Sequence, residues 1–143
     1  MRLKRFSLVF VLGLVSAAGT FPTTAQAQSK PKFESKIVNR ATSGQAVDVE
    51  VDITGAKSLF LVVQDGGDGF GCDWADWIEP KLMGPKGELK LTELKWKSAA
   101  SAFGKVTVNG NCGGEPLSVD SKKPELGIGT HAYSIIEYAL PVG

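Results

Sequence analysis

The sequence predicts an all-β protein whose short strands pack as a sandwich. Three observations lead to this class. Apolar and polar residues alternate with a period of two in several segments, which is typical of half-buried strands. Turn-forming Gly, Pro and Asn separate these segments, and no window carries an apolar stripe with helical spacing. The one stretch that approaches a helical composition, "KSAASAFGK", is too short to change the class.

The strands are predicted as follows along the chain. In "VDVEVDI", valine and isoleucine alternate with acids. After the turn "TGAK", the segment "SLFLVV" is apolar on both faces, which predicts a central strand covered on two sides. In "SIIEYAL", the residues Ile136, Tyr138 and Leu140 share one face and Glu137 lies on the other. The predicted strands are residues 47–53, 58–63, 89–91, 94–96, 106–108 and 134–140.

The N-terminus has the pattern of an export signal. Three basic residues precede a short apolar run, residues 6–19, and "AQAQ" places Ala25 and Ala27 at the −3 and −1 positions of a cleavage site. This run is too short to span a bilayer, so we expect cleavage after Ala27 and no membrane span afterwards. The expected organisation is a signal peptide over residues 1–27, a linker over 28–36 and one sandwich module over 37–143, in a periplasmic or extracellular protein.

The charge of the processed chain excludes one class of function. Without the three basic residues of the leader, thirteen Lys and Arg remain against fifteen Asp and Glu, so the net charge changes from +1 to −2. Nucleic-acid binding requires a basic surface, so we expect no nucleic-acid partner. The remaining length suits one small core rather than two.

The strand "SIIEYAL" is followed almost at once by the end of the sequence. An apolar strand without a neighbour exposes an edge that invites association. We therefore expect a sandwich that is either incomplete or completed by another segment, a partner domain or a second chain.

One loop concentrates the acids of the chain. The stretch "DGGDGFGCDWADWIEP", residues 65–80, holds five of the fifteen carboxylates and no lysine or arginine. Asp65, Asp68, Asp73 and Asp76 offer hard oxygen ligands in a glycine-rich loop, which favours Ca²⁺ over zinc. The spacing is not that of an EF-hand, because glycines stand where acids belong. The alternative is that these aspartates accept hydrogen bonds from backbone amides in Asx-turns.

Catalysis is the less favoured use of this loop. Two carboxylates can hydrolyse a glycosidic bond, but they need a deep cleft that one small sandwich rarely provides. The chain has a single histidine, His131, and no nucleophile motif around any serine. We therefore expect that the protein is not an enzyme.

The same loop has the composition of a sugar-binding surface. Pyranoses present apolar C–H faces to aromatic rings and hydroxyl groups to carboxylates. If "CDWADWIEP" is extended, Trp74 and Asp76 share one face while Asp73 and Trp77 share the other. One tryptophan then faces solvent and the other enters the core. The alternative places both tryptophans in the core.

The two cysteines, Cys72 and Cys112, both lie in loops rich in glycine or asparagine. Exported proteins can form disulfides, and this bridge would join the acidic loop to the "NGNCGG" turn. It would stabilise the fold by about 2–4 kcal/mol. Two independent free thiols are the alternative.

Two longer motifs resemble the NPCBM family of carbohydrate-binding modules, which also accompanies family 98 glycoside hydrolases. The first is "GAKSL" at residues 55–59 followed by "DGGDGFGCDWADW" at 65–77, and the second is "GIGTHAYS" at 127–134. The two motifs stand in the reverse of the usual family order, which implies a truncated or rearranged module. The resemblance implies a galactose-binding-like jelly roll.

The resemblance also implies a ligand set and a function. It implies a structural Ca²⁺ held by Asp65, Asp68, Asp73 and Asp76, a core position for Trp77, and a carbohydrate as partner. The expected function is that of an exported, non-catalytic carbohydrate-binding module. The alternative is a structural or protein-interaction sandwich without sugar affinity. The candidate carbohydrate-binding residues are Trp74, Asp76, His131 and Tyr133.

Overall fold

The computed structural model describes residues 2–4 and 31–141, so the predicted signal peptide lies outside the described residues except for the backbone of Arg2–Lys4. Two short 3-10 turns occur at Ser43–Gln45 and Leu91–Glu93. The strands of the described residues are β1 (Arg2–Lys4), β2 (Glu50–Asp52), β3 (Ser58–Val63), β4 (Trp74–Ile78), β5 (Lys81–Gly84), β6 (Gly87–Lys90), β7 (Ser98–Ser101), β8 (Thr107–Val108), β9 (Gly127–His131) and β10 (Ser134–Ala139).

These strands form three antiparallel sheets, which confirms the prediction of an all-β sandwich. The strand orders are β2-β1-β5-β6, β3-β10-β7 and β4-β9-β8. The second and third sheets each pair one earlier strand, β3 or β4, with a strand from near the end of the described chain, β10 or β9. The acidic loop and the "GIGTHAYS" segment therefore meet, because β4 pairs with β9 over its whole length.

The inward faces of the three sheets share one apolar core. Leu61, Trp77, Leu82, Ile128 and Ile136 are all buried and belong to the same cluster of contacts. Burying such side chains contributes about 1.5–3 kcal/mol each, which is the main stabilising term for a domain of this size. The core therefore holds both motifs in place.

The alternation predicted for the first strand is confirmed, with Val49 and Ile53 buried and Asp48 and Glu50 exposed. The regular strand β2 covers only Glu50–Asp52 of it. The short candidate helix "KSAASAFGK" instead contains strand β7.

The expectation that "SLFLVV" is covered on both faces is wrong. Leu59, Leu61 and Val63 are buried, but Phe60 is 54 % exposed. Within the described sheets, β3 pairs with β10 alone, and its outer face carries no covering layer over Phe60. A continuous apolar run identifies a strand but does not show which of its faces is packed.

The last strand has neighbours on both sides. β10 lies between β3 and β7 and pairs with each in antiparallel register. Ile136, Tyr138 and Leu140 face the core as predicted, and the Tyr138 hydroxyl donates a hydrogen bond to the Leu91 carbonyl oxygen at 3.3 Å. The partners of this strand thus come from earlier parts of the chain.

Two segments that precede the predicted module also take part in the fold. Phe33, within the predicted linker, packs against the core. The backbone of β1 lies between β2 and β5 and pairs with both. Since β1 belongs to the predicted leader, cleavage after Ala27 would remove a strand from this sheet.

Candidate functional site

Strand β4 divides the acidic segment between the core and the surface. Ala75 and Trp77 are buried, whereas Trp74 is 49 % exposed and Asp76 is partly buried. This is the two-residue alternation expected for an extended chain, so the prediction of one core tryptophan and one surface tryptophan is confirmed. Trp77 packs in the core and holds the strand there, whereas Trp74 lies at the surface.

Strand β9 supports Trp74 from the neighbouring position in the sheet. His131 is the register partner of Trp74, and the two rings meet edge to face with centroids 6.4 Å apart. The imidazole also contacts the ring of Phe103, with centroids 5.2 Å apart. His131 is only 4 % exposed, and its Nδ1–H donates to the Ala132 carbonyl oxygen at 2.7 Å. The buried His131 ring therefore supports the indole of Trp74.

A covering loop, residues 109–119, lies against the outer side of β4 and β9. A Cβ at position 129 would overlap the carbonyl oxygen of Gly110 and the Cα of Asn111, so only glycine allows this approach. The Asn111 side chain shapes the loop by accepting from the N–H of Gly113 at 2.9 Å and of Glu115 at 3.0 Å. This loop brings Gly113 next to the indole of Trp74.

Within the acidic loop, Asp65 is already engaged with neighbouring donors. Its Oδ1 accepts from the N–H of Gly67 at 3.1 Å, and its Oδ2 accepts from the Tyr133 hydroxyl at 2.6 Å. The hydrogen bond from Tyr133, followed by the one from Gly67, lowers the pKa of Asp65. The Tyr133–Asp65 hydrogen bond also raises the pKa of Tyr133. The Tyr133 ring also contacts Phe70. Tyr133 therefore ties the acidic loop to the end of β9.

For Asp73 and Asp76, the surroundings disfavour the ionised carboxylate. Burial, followed by the charge of Asp68, raises the pKa of Asp73. Burial raises the pKa of Asp76 to about 6, against a smaller opposing effect of a hydrogen bond from the backbone of Ser118. Asp73 Oδ2 and Asp76 Oδ1 are buried and have no hydrogen-bond partner in the described part of the chain. Two buried carboxylate oxygens of this segment thus lack the hydrogen-bond partner that buried polar atoms ordinarily have.

All four aspartates and Trp74 line one cavity of about 550 Å³. This volume is typical of small-molecule sites. His131 and Tyr133 are not among its lining residues and contact it only through Trp74 and Asp65. The cavity also has polar walls that the sequence did not indicate, from Asn39, Arg40, Gln45, Gln64 and Ser118. No motif marks these residues, and only the tertiary fold brings residues 37–45 next to the acidic loop.

The arrangement of possible metal ligands is sparse. Among residues 31–141, no three side chains of His, Cys, Asp or Glu are grouped so that they could hold a metal ion together. Any ion at the aspartates would therefore need backbone carbonyls or water to complete its shell. Asp73 and Asp76 each have one buried oxygen without a partner in the described residues, so they are the side chains best prepared for such a role.

Both cysteines are free thiols in the structure, so the predicted bridge is not formed there. Cys72 is exposed at the start of β4, and Cys112 is buried in the covering loop. Burial, followed by the charge of Asp76, raises the pKa of the Cys112 thiol, which keeps it protonated.

The fold and the cavity together define an all-β sandwich with an aromatic and carboxylate-lined site. The sequence profile of the NPCBM/NEW2 domain matches residues 15–83 and 87–142. The chain therefore belongs to the NPCBM family, whose fold is galactose-binding-like, as its two motifs indicated. No curated protein and no solved structure matches the chain. Within the described ranges, no helix has the length and apolar composition that a membrane span requires.

Proposed function

We propose that this protein is an exported, non-catalytic module that binds carbohydrate in the cavity beside Trp74. The observation that carries the proposal is an exposed indole on the wall of a cavity of about 550 Å³ whose lining also includes carboxylates, amides and one guanidinium. The family assignment supports the same conclusion, because NPCBM domains are carbohydrate-binding-like modules.

Each candidate residue has a distinct part in this proposal. The Trp74 indole offers an apolar face to the C–H groups of a sugar ring. Asp73 and Asp76 line the cavity and offer carboxylates to the sugar hydroxyls. His131 holds the indole in position, and Tyr133 holds Asp65 and with it the acidic loop.

A glycan array tests the proposal on purified protein that unfolds cooperatively. We expect selective binding that Trp74→Ala abolishes. Phe60→Ala is the matched control, because Phe60 is an equally exposed aromatic residue on a different sheet and does not line the cavity. Binding that survives Trp74→Ala would place the site elsewhere, and no binding to any glycan would refute the sugar-binding proposal.

A non-catalytic role is supported by the state of the one histidine. His131 is buried, and its Nδ1–H is used by a backbone carbonyl. It has no direct access to the cavity, so it is poorly placed for proton transfer. The check is incubation of the protein with each glycan that binds, followed by mass spectrometry. A shortened glycan would contradict this proposal.

We also propose that Ca²⁺ binds the acidic loop and orders it. The support is Asp73, whose Oδ2 has no partner among residues 31–141 and whose carboxylate is repelled by Asp68 and Asp65, a repulsion that a cation would relieve. Backbone carbonyls or water would supply the remaining ligands. A chelator should lower the melting temperature of the wild type, and Asp73→Asn should remove that response. A melt that is the same in chelator and in calcium would exclude this ion.

Export is proposed from the residues of the leader. Mass spectrometry of the protein recovered outside the cytoplasm should find the N-terminus at Gln28.

The same sample allows titration of the thiols in denaturant without reductant. Two reactive thiols are expected from the structure, and none would show that Cys72 and Cys112 pair during export.

Protein interaction is a second candidate function. Phe60 and Ile135 are 54 % and 45 % exposed on the outer face of the β3–β10 pair. Neighbouring exposed apolar residues on a sheet favour association. Sedimentation of the wild type and of Phe60→Ala tests this candidate. A monomer at all concentrations, with no partner retained, would leave sugar binding as the sole function.

A further inference from the structure

The cavity beside Trp74 carries an excess of negative charge. Four carboxylates line it, those of Asp65, Asp68, Asp73 and Asp76, and a single guanidinium, that of Arg40, opposes them. Asp65 already accepts two hydrogen bonds from the protein. Asp73 and Asp76 each keep one buried oxygen without a partner in the described residues. The site is therefore both negatively charged and short of hydrogen-bond donors.

This combination distinguishes between classes of sugar. A uronic acid would bring a further carboxylate into a site of like charge, which is unfavourable. A neutral sugar offers hydroxyl groups, each with one hydrogen to donate. A protonated amino group offers three donors and a positive charge, and hydrogen bonds between charged partners are about twice as strong as neutral ones.

We propose that the cavity selects sugars that carry a free amino group, binds neutral sugars less tightly and rejects uronic acids. The amino group lies among the carboxylates of the cavity wall while the sugar ring packs on Trp74. This inference rests on the proposed carbohydrate site and names the class of sugar that the site prefers.

The test compares sugars whose rings each differ from the neutral sugar at one group. The probes are tetramers of glucosamine, glucose and glucuronic acid, together with the corresponding galacto series, and binding is measured by calorimetry at low ionic strength. Chelator is present, so that no calcium competes for the carboxylates. We expect the amino form to bind roughly tenfold more tightly than the neutral form, since one charge pair near the surface contributes a factor of this order. The preference should shrink as salt is added.

Asp76→Asn is the decisive variant, because it removes one charge from the cavity and keeps the shape of the side chain. It should reduce the preference for the amino form to within about twofold of the neutral form. Asp48→Asn removes an equivalent charge from an exposed position outside the cavity and should leave the preference unchanged. If Asp76→Asn does not unfold cooperatively, Asp73→Asn takes its place.

The outcomes separate this inference from the proposed function. Neutral sugars bound as tightly as amino sugars, or uronic acids bound as tightly as neutral ones, would overturn the inference and leave the sugar site in place. A preference that survives the aspartate variant used would also overturn it. A folded protein that binds none of these sugars, and none on the glycan array, would overturn the proposed function and this inference together.

Discussion

Replacing Asp76 by asparagine should stabilise the protein at neutral pH. Burial raises the pKa of this carboxyl from 3.8 to about 6, so the folded state resists its ionisation. A difference of about 2 pKa units corresponds to about 3 kcal/mol of native stability that is present when the group is protonated and lost when it is charged. Because Asp76 is only partly buried, this is an upper value.

The sign of the pH dependence follows from the raised pKa. Below pH 3.8 the group is protonated in both the folded and the unfolded chain, and it has no ionisation cost. As the pH rises through 3.8 and then about 6, the unfolded chain ionises first and stability is lost. The advantage of Asp76→Asn over the wild type should therefore grow by about 1.5 kcal/mol between pH 5 and pH 8.

Urea unfolding of both proteins across this pH range measures the difference directly. Since the other carboxyl groups are common to both proteins, the difference isolates Asp76. The variant's advantage in free energy of unfolding could instead stay constant, or shrink, between pH 5 and pH 8. Either result would falsify the assignment of Asp76 as a carboxyl whose ionisation is disfavoured by burial.

Two further predictions concern packing and the acidic loop. Gly129→Ala should destabilise the protein by about 2–4 kcal/mol or prevent folding, because the new Cβ would overlap the Gly110 carbonyl oxygen, whereas Gly84→Ala, where no atom lies within 4 Å, should cost little. Thermal melts check this, and equal melting temperatures for the two variants would contradict it. Tyr133→Phe should raise the pKa of Asp65 towards its ordinary value, because it removes the hydrogen bond that lowers this pKa. Carbon-detected NMR titration of the carboxyl follows the change, and an unaltered pKa would show that the bond is absent in solution.

The local pattern of β4 was readable from the sequence because strand geometry alone dictates it. Alternate residues point to opposite faces, so Trp74 and Trp77 lie on opposite faces once the segment is extended. The family resemblance implied that Trp77 is the core residue, and the structure shows it buried. The strand "SIIEYAL" was readable for the same reason. In contrast, the exposure of Phe60 depends on whether another layer covers β3, and its own sequence does not contain that information.

The role of a polar side chain was less predictable than its place in a strand. The "GTHA" segment marked His131 as a candidate ligand contact, but the fold buries it beneath Trp74 and Phe103. Tyr133 was expected at the sugar, and its hydroxyl instead binds Asp65. Both outcomes depend on which residues are brought close by the pairing of β4 with β9.

By itself the sequence determined the all-β class, the family, and which face of β4 enters the core. These properties depend on neighbours in the chain or on motifs of consecutive residues. Only the tertiary structure decided that residues 37–45, the acidic loop and Ser118 line one cavity, and that Asp76 lies partly buried in its wall. The physical reason is that cavities and pKa shifts arise from groups distant in sequence, whose separation in space is set by strand pairing and core packing.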